Sequence, residues 1–239
     1  MKLKLGIWGQ LCKYIEPAYN LIFPRSCHIC GAKLDEPDRY VCSSCLSRLP
    51  RTRFHRMQMN PMEQRFAGKF PFVNATGYFF YGGESSTATL IHDLKYHHFK
   101  GLAHHLGEEV AKELLPTSFF SDVDAIIPIP MHWLKKARRG YNQTEIIAQG
   151  ISDILSIPVL SNLKAGKPHK TQTKLTAQQR LTNLAGTFTV HNPDELTDRH
   201  ILLLDDVCTT GATMTTAAET LLAAAPTLRI TLLTLAVTS

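Results

Sequence analysis

Long hydrophobic runs are missing from this chain. No stretch of 18 apolar residues occurs, which excludes a membrane-spanning helix by the usual length requirement. The first residues begin like a secretory leader, but Gln10, Lys13 and Glu16 interrupt the apolar stretch and no Ala-x-Ala site follows. Leu3 to Phe23 is therefore read as a short amphipathic helix packing on the protein, with a peripheral membrane contact as the alternative. Cysteine is sparse, with six in 239 residues. Four of these form two Cys-x-x-Cys pairs, which points to metal binding in a reducing cytoplasm rather than to a disulfide framework. Acidic residues are outnumbered, 20 against 26 basic ones. The resulting net charge of +6 favours anionic partners such as nucleotides, phosphorylated sugars, nucleic acid or acidic lipid surfaces. Neither Gly-x-x-x-x-Gly-Lys nor Gly-x-Gly-x-x-Gly is present, so the two commonest nucleotide loops are excluded. No internal repeat or low-complexity tract is present.

What is present falls into three zones: residues 1–56 with the helix, the cysteines and a basic stretch; residues 57–74, rich in Met, Asn, Pro and Gly and read as a linker; and residues 75–239. The last zone alternates strand-like and helix-like segments. Strands are expected at Ala75 to Tyr81 (an edge strand), Ala125 to Pro130, Thr187 to Val190, Ile201 to Asp206 and Arg229 to Val237. Helices are expected at Ser85 to Tyr96, Gly101 to Leu115, Tyr141 to Leu155 and Gly211 to Ala225. Alternation with continuous apolar strands argues an α/β fold, a mostly parallel sheet flanked by helices. Such sheets bind ligands at the carboxyl ends of their strands.

That rule singles out Ile201 to Thr213. Four apolar residues lead to Asp205 and Asp206, and then Cys208, Thr209, Thr210, Gly211, Ala212 and Thr213 open a helix. A helix start presents free amides and a positive dipole end, and Gly211 permits close backbone approach. The two carboxylates suit neighbouring sugar hydroxyls or a divalent cation. The plainer alternative is that the acids end a strand and a threonine caps the helix, although adjacent buried acids would then repel without relief. Cys208 is read as a small filler, because no base adjoins it in sequence. The stretch resembles the phosphoribosyl pyrophosphate signature of type I phosphoribosyltransferases. The resemblance implies that Asp205 and Asp206 hold the ribose hydroxyls and that Thr209, Thr210, Gly211, Ala212 and Thr213 cradle the 5′-phosphate.

A second basic segment follows the strand at Ala125. Lys135, Lys136, Arg138 and Arg139 precede Gly140 in what reads as a bending loop. Arginines match phosphate oxygens as bidentate forks; the alternative is a solvated basic surface, Lys135 and Lys136 most of all. The chain resembles the ComF family over nearly its whole length: Leu21 to Pro24, the two cysteine pairs, Leu94-Lys95-Tyr96, Pro128 to Pro130, Arg138 to Gln143, Gln172, Leu175, Arg180, Asn183, Phe188 and the phosphate signature. The resemblance implies a type I phosphoribosyltransferase-like fold with a small N-terminal zinc-ribbon-like module. It implies Asp205, Asp206 and Arg139 as catalytic residues, Lys95, Arg138 and Arg139 as further phosphate contacts, and Mg²⁺ bound with phosphoribosyl pyrophosphate. It also implies a cytoplasmic role in natural transformation, with single-stranded DNA and competence helicase or recombination proteins as partners. An active phosphoribosyltransferase of nucleotide or cofactor salvage, with no DNA role, is the alternative. Lys167 and His169 stand where the family has Arg and Thr.

Cys27, Cys30, Cys42 and Cys45 offer four thiolates, with eleven residues between the pairs. Zinc in a closed structural site is the natural occupant, with rubredoxin-like iron or unmetallated cysteines as alternatives. Lys135, Lys136, Arg51 and Arg53 are candidate nucleic-acid contacts, against a solvated surface as the plain alternative. His92, His97, His98, His104 and His105 cluster in one helical region without a metal motif, and are read as exposed or capping.

Overall fold

Apolar runs too regular to face water on either side build the centre of the fold. The computed structural model describes residues 25–83, 85–96, 99–132, 137, 139–166 and 187–238. In chain order the strands are β1 (Ala75–Tyr81), β2 (Ala125–Pro128), β3 (Leu163–Ala165), β4 (Phe188–Val190), β5 (His200–Cys208) and β6 (Arg229–Thr238). The α-helices are α1 (Ser43–Arg48), α2 (Pro61–Phe66), α3 (Ser86–Tyr96), α4 (Lys100–Leu114), α5 (Gln143–Leu155) and α6 (Ala212–Ala224). The chain divides into two compact units, Met1–Leu49 and Pro50–Ser239.

In the larger unit four strands run parallel in the order β1-β6-β5-β2. Ile201 of β5 stands between Ala125 of β2 and Ile230 of β6, which fixes the register. Ile126, Ile127, Leu202, Leu203, Leu232 and Leu233 are all free of solvent. Adjacent residues in a strand point to opposite faces, so both faces of the sheet are covered, as continuous apolar strands require. β1 lies at the edge, as expected. Its outer side is met by Pro50 to Thr52, with Phe80 N donating to Pro50 O and Thr52 N donating to Tyr78 O. β3 and β4 form a separate antiparallel pair. β3 escapes the sequence pattern because Leu163-Lys164-Ala165 holds no β-branched or aromatic residue, unlike the Phe-Thr-Val of β4.

Residues 57–74, expected to be a linker, carry α2 instead. Asn60 accepts hydrogen bonds from the amides of Met62 and Glu63, and Glu63 Oε2 accepts one from Asn60 N, with Pro61 at the first helical position. This is a capping box, and it nucleates a helix despite the loop-like composition. Met62 and Phe66, one turn apart, are fully buried.

α4 and α5 pack backbone against backbone. A Cβ on Gly150 would stand 2.1 Å from the carbonyl oxygen of His104, and one on Gly107 would stand 2.3 Å from that of Ile147. His104, expected to be exposed or capping, is half-buried there and bridges to Asp153 Oδ2 at 2.9 Å. His97 and His98 lie outside the described residues, as do Leu3 to Phe23.

The smaller unit, described from residue 25, buries Cys27, Leu34, Val41, Cys45 and Leu49. Asp38 opens α1 by accepting from Ser43 N at 3.0 Å and Ser43 Oγ at 2.6 Å. Among the described residues no helix is long and apolar enough to cross a membrane.

Candidate functional site

All strands of a parallel sheet end on one side, and β5 delivers Asp205 and Asp206 to that side. Both acids are partly buried. Asp206 N donates to Asp205 Oδ1 at 2.8 Å, and Lys95 Nζ, from the last turn of α3, stands 3.5 Å from Asp206 Oδ2. Asp205 keeps a little surface open to solvent but is densely surrounded by protein. Burial, and then the charge of Asp206, push its carboxyl well above the usual carboxylate range; the Asp206 amide and the Lys95 charge offset only part of this.

β5 then turns into α6. Thr209 and Thr210 are exposed, and Gly211 caps the helix with φ +80°. Only glycine enters that conformation without strain. A Cβ there would also stand 2.8 Å from the ring of Phe66. No side chain stands on the capping residue, and at the helix start Ala212 N donates to Thr210 Oγ1 at 3.4 Å; the amides of such a helix start suit an anion.

A cavity of about 240 Å³ lies beside this end of β5. Lys95, Arg139, Asp205, Asp206 and Thr213 border it. So do Asn142 and Thr144 at the start of α5, where Asn142 Oδ1 accepts from Thr144 N and Asn142 Nδ2 donates to Ile129 O. Two helix starts therefore meet one cavity. Arg139 lays its guanidinium over the ring of Tyr96 at 5.3 Å, and its Nε has no hydrogen-bond partner among the described residues. The cavity thus holds cationic groups, paired acids and helix dipoles, a set suited to a polyphosphate carrying sugar hydroxyls or a divalent cation.

The expected residues fall into three groups. Asp205, Asp206, Lys95, Arg139 and Thr213 come together at the cavity. Thr209, Thr210, Gly211 and Ala212 form the turn leading to it without bordering it. Arg138, Lys135 and Lys136 lie outside the described residues, as do Leu21 to Pro24, Lys167, His169, Gln172, Leu175, Arg180 and Asn183.

Arg51 is not a free surface cation. Its Nε stands 2.7 Å from Glu113 Oε2, which also accepts from Tyr78 OH at 2.6 Å. Burial, and then the hydrogen bond to Glu113, push the Tyr78 hydroxyl well above its ordinary range, so this is a packed structural triad. Arg53 is exposed. Asn142 lies within the segment Arg138 to Gln143 that carries the resemblance, and Thr144 lies just beyond it. Their polar side chains at a helix start were the readable signal.

In the smaller unit the sulfurs of Cys27, Cys30, Cys42 and Cys45 all lie within 4.8 Å of one another. A tetrahedral thiolate site with bonds of about 2.3 Å places its sulfurs roughly 3.8 Å apart, and the Cys30 and Cys42 sulfurs stand at 3.9 Å. Ile29 N and Cys42 N each donate to Cys27 Sγ at 3.4 Å. Burial acts to raise the Cys27 thiol, but backbone amides outweigh it and bring it down to about 6. Cys45 is pushed up to about 12 by burial and by the neighbouring sulfurs. Sulfurs gathered this way are compatible with a metal site, whose cation would relieve their mutual repulsion.

Residues 106–237, more than half of the chain, match the family described as phosphoribosyl transferase domain. The chain is 41% identical over 93 residues to competence protein F of Haemophilus influenzae. That stretch is 38% of this chain and spans 41% of the Haemophilus protein, less than half of its length. It is 28% identical over 231 residues to DNA utilization protein YhgH of Shigella flexneri, covering 93% of this chain and 88% of that one. Among solved structures, glutamine phosphoribosylpyrophosphate amidotransferase from B. subtilis is similar at a TM-score of 0.40 and 13% identity, over 56% of this chain and 28% of that chain. A purine phosphoribosyltransferase from Pyrococcus horikoshii is similar at a TM-score of 0.34 and 16% identity, over 56% and 80%.

The raised carboxyl of Asp205 gives a signed prediction. A group that holds its proton more tightly when folded makes stability fall as pH rises from the unfolded carboxylate range toward the folded value. Asp205→Asn is therefore expected to stabilise the ligand-free protein at neutral pH by roughly 1 kcal/mol, with the gain vanishing below about pH 4. Urea denaturation across pH measures this; a variant less stable than the parent at pH 7 would contradict it. Elemental analysis of the purified protein is expected to find bound metal that Cys30→Ser/Cys42→Ser removes. A fully reduced, folded protein without metal would count against the cluster as a metal site.

Proposed function

The chain belongs to the phosphoribosyl transferase domain family, within its ComF group, and from that premise we propose that it binds phosphoribosyl pyrophosphate with Mg²⁺ in the cavity at the end of β5. The observation that carries this reading is that Asp205 and Asp206 share one cavity with Lys95 and Arg139, beside the glycine-capped start of α6. In the proposed pose the two carboxylates accept hydrogen bonds from the ribose 2′- and 3′-hydroxyls. The amides and hydroxyls of Thr209, Thr210, Gly211, Ala212 and Thr213 take the 5′-phosphate. Lys95 and Arg139 face the pyrophosphate.

The chemistry such a site serves is displacement of pyrophosphate from the anomeric carbon of the ribose. Mg²⁺, when bound, supplies charge neutralisation on the pyrophosphate. The chain's own share is positional and electrostatic: Arg139 stabilises the charge that develops on the departing oxygen, and Asp205 and Asp206 fix the sugar. No protein nucleophile is needed. The four cysteines hold structural zinc in this proposal, since sulfur-only tetrahedral sites favour it.

The biological setting we propose is DNA uptake in the cytoplasm, with single-stranded DNA and the helicase or recombination proteins of competence as partners. It is supported by the names of the two curated relatives and by the net charge of +6. Turnover with a free base and no affinity for DNA would favour a salvage transferase instead.

Calorimetry with phosphoribosyl pyrophosphate and Mg²⁺ is expected to show binding to the full chain that Asp205→Ala/Asp206→Ala abolishes. No heat with the parent protein would sink the reading. Fluorescence anisotropy with a single-stranded oligonucleotide is expected to show binding that weakens as salt rises. No binding at low salt would remove direct DNA contact from the proposal.

A further inference from the structure

α2 places one cation behind the turn that joins β5 to α6. Arg65 Nη1 donates to Thr209 O at 2.5 Å and reaches Cys208 O at 3.5 Å, and Nη2 donates to Thr238 O at 2.8 Å. The Cys208 sulfur stands 3.6 Å from Nη1. Among the described residues no carboxylate pairs with Arg65, so its partners are main-chain carbonyls and a thiol. The neighbouring Phe66 packs under Gly211, where a Cβ would collide with its ring.

The helix that carries both residues is itself held. Asn60 Nδ2 donates to Ala75 O at the start of β1 and to Phe54 O, while its Oδ1 caps α2. Met62 and Phe66 anchor the other side of the helix in the core.

Fixing a carbonyl fixes the amide behind it. The peptide bond is planar, and in a trans peptide the C=O and the following N–H point in opposite directions. The Thr209–Thr210 peptide is trans, the one cis bond among the described residues being Glu36–Pro37. With Thr209 O drawn onto Arg65, the amide of Thr210 must point away from α2. A charged donor on the carbonyl also polarises that peptide, which strengthens its N–H as a donor. The guanidinium also adds positive charge behind the loop.

We propose that Arg65 is a positioning residue for the phosphate loop: it ties the Thr209 carbonyl back to α2 so that the Thr210 amide faces the 5′-phosphate. This rests on the reading of Thr209 to Thr213 as the 5′-phosphate site, and the test separates the two. Lysine keeps the charge but lacks the planar fork that spans Thr209 O and Thr238 O; methionine keeps only the stem.

The experiment is calorimetry on the full chain with ribose 5-phosphate, which engages the loop, and separately with inorganic pyrophosphate and Mg²⁺, which engages Lys95 and Arg139. Arg65→Met is expected to weaken ribose 5-phosphate about tenfold, the equivalent of losing roughly one charge-assisted hydrogen bond. Pyrophosphate binding should stay unchanged, and Arg65→Lys should fall between Arg65→Met and the parent for ribose 5-phosphate. Unchanged ribose 5-phosphate affinity in Arg65→Met would overturn the inference, as would equal weakening of both probes, which would make Arg65 a general support of the fold. A parent protein that binds pyrophosphate but not ribose 5-phosphate would overturn the reading of the loop itself, and the inference with it.

Discussion

Two carboxylates side by side at the end of one buried strand are the constraint around which the larger unit is arranged. Asp205 and Asp206 follow four residues of β5 that have almost no contact with water, and the ladder to β2 and β6 leaves the strand no freedom to slide. A one-residue slip would exchange the faces of every side chain in the strand. The acids are therefore held in a partly buried place where their charges oppose each other. The protein answers with the Asp206 amide on Asp205 and with Lys95 on Asp206. Neither fully compensates, as the raised carboxyl of Asp205 shows. Sites that keep such tension in the absence of a ligand are typical of binding and catalysis, where the ligand supplies what the fold withholds.

The rest of the site follows from what that strand does next. β5 can pass into α6 within a few residues because Gly211 takes a left-handed conformation and has no Cβ to strike Phe66. Arg139 rests on Tyr96, at the end of the same helix, α3, that supplies Lys95. The Tyr96 ring gives the guanidinium a place to lie without tying up its donors, so it can still fork onto an anion. Support thus comes from α2, α3 and the start of α5, three elements far apart in sequence. The described residues of the smaller unit follow a different logic: a short helix, a few buried side chains and four convergent sulfurs, the kind of small core that a metal commonly supplements.

Much of this was legible in the residues. β5 and β6 are long apolar runs, β1 ends at a glycine pair, and the longer helices carry apolar periodicity, so the type and order of the longer elements could be read directly. The acids and Thr213 were legible because the end of a parallel strand is where ligands sit, whatever the family. The cysteine cluster was legible from its spacing. Other features were not. Composition made residues 57–74 look like a linker, whereas local hydrogen-bond chemistry decided the outcome: Asn60 and Glu63 reciprocally cap α2 and hide Met62 and Phe66. A search for capping pairs rather than for hydrophobic content would have found it. Arg51 looked like one more cation in a basic stretch; only the fold brings Glu113, 62 residues away, against it. Long-range pairing of this kind leaves no local trace in a single sequence.

The central claim is that the acids, the glycine-capped helix start and the two cations serve one extended phosphosugar. A structure of the full chain with phosphoribosyl pyrophosphate and Mg²⁺ tests it most directly. The account predicts ribose hydroxyls on Asp205 and Asp206, the 5′-phosphate on the turn from Thr209 to Thr213, and the pyrophosphate toward Lys95 and Arg139. A ligand bound elsewhere, or one that leaves Asp205 and Asp206 without a hydroxyl or a cation, would contradict it.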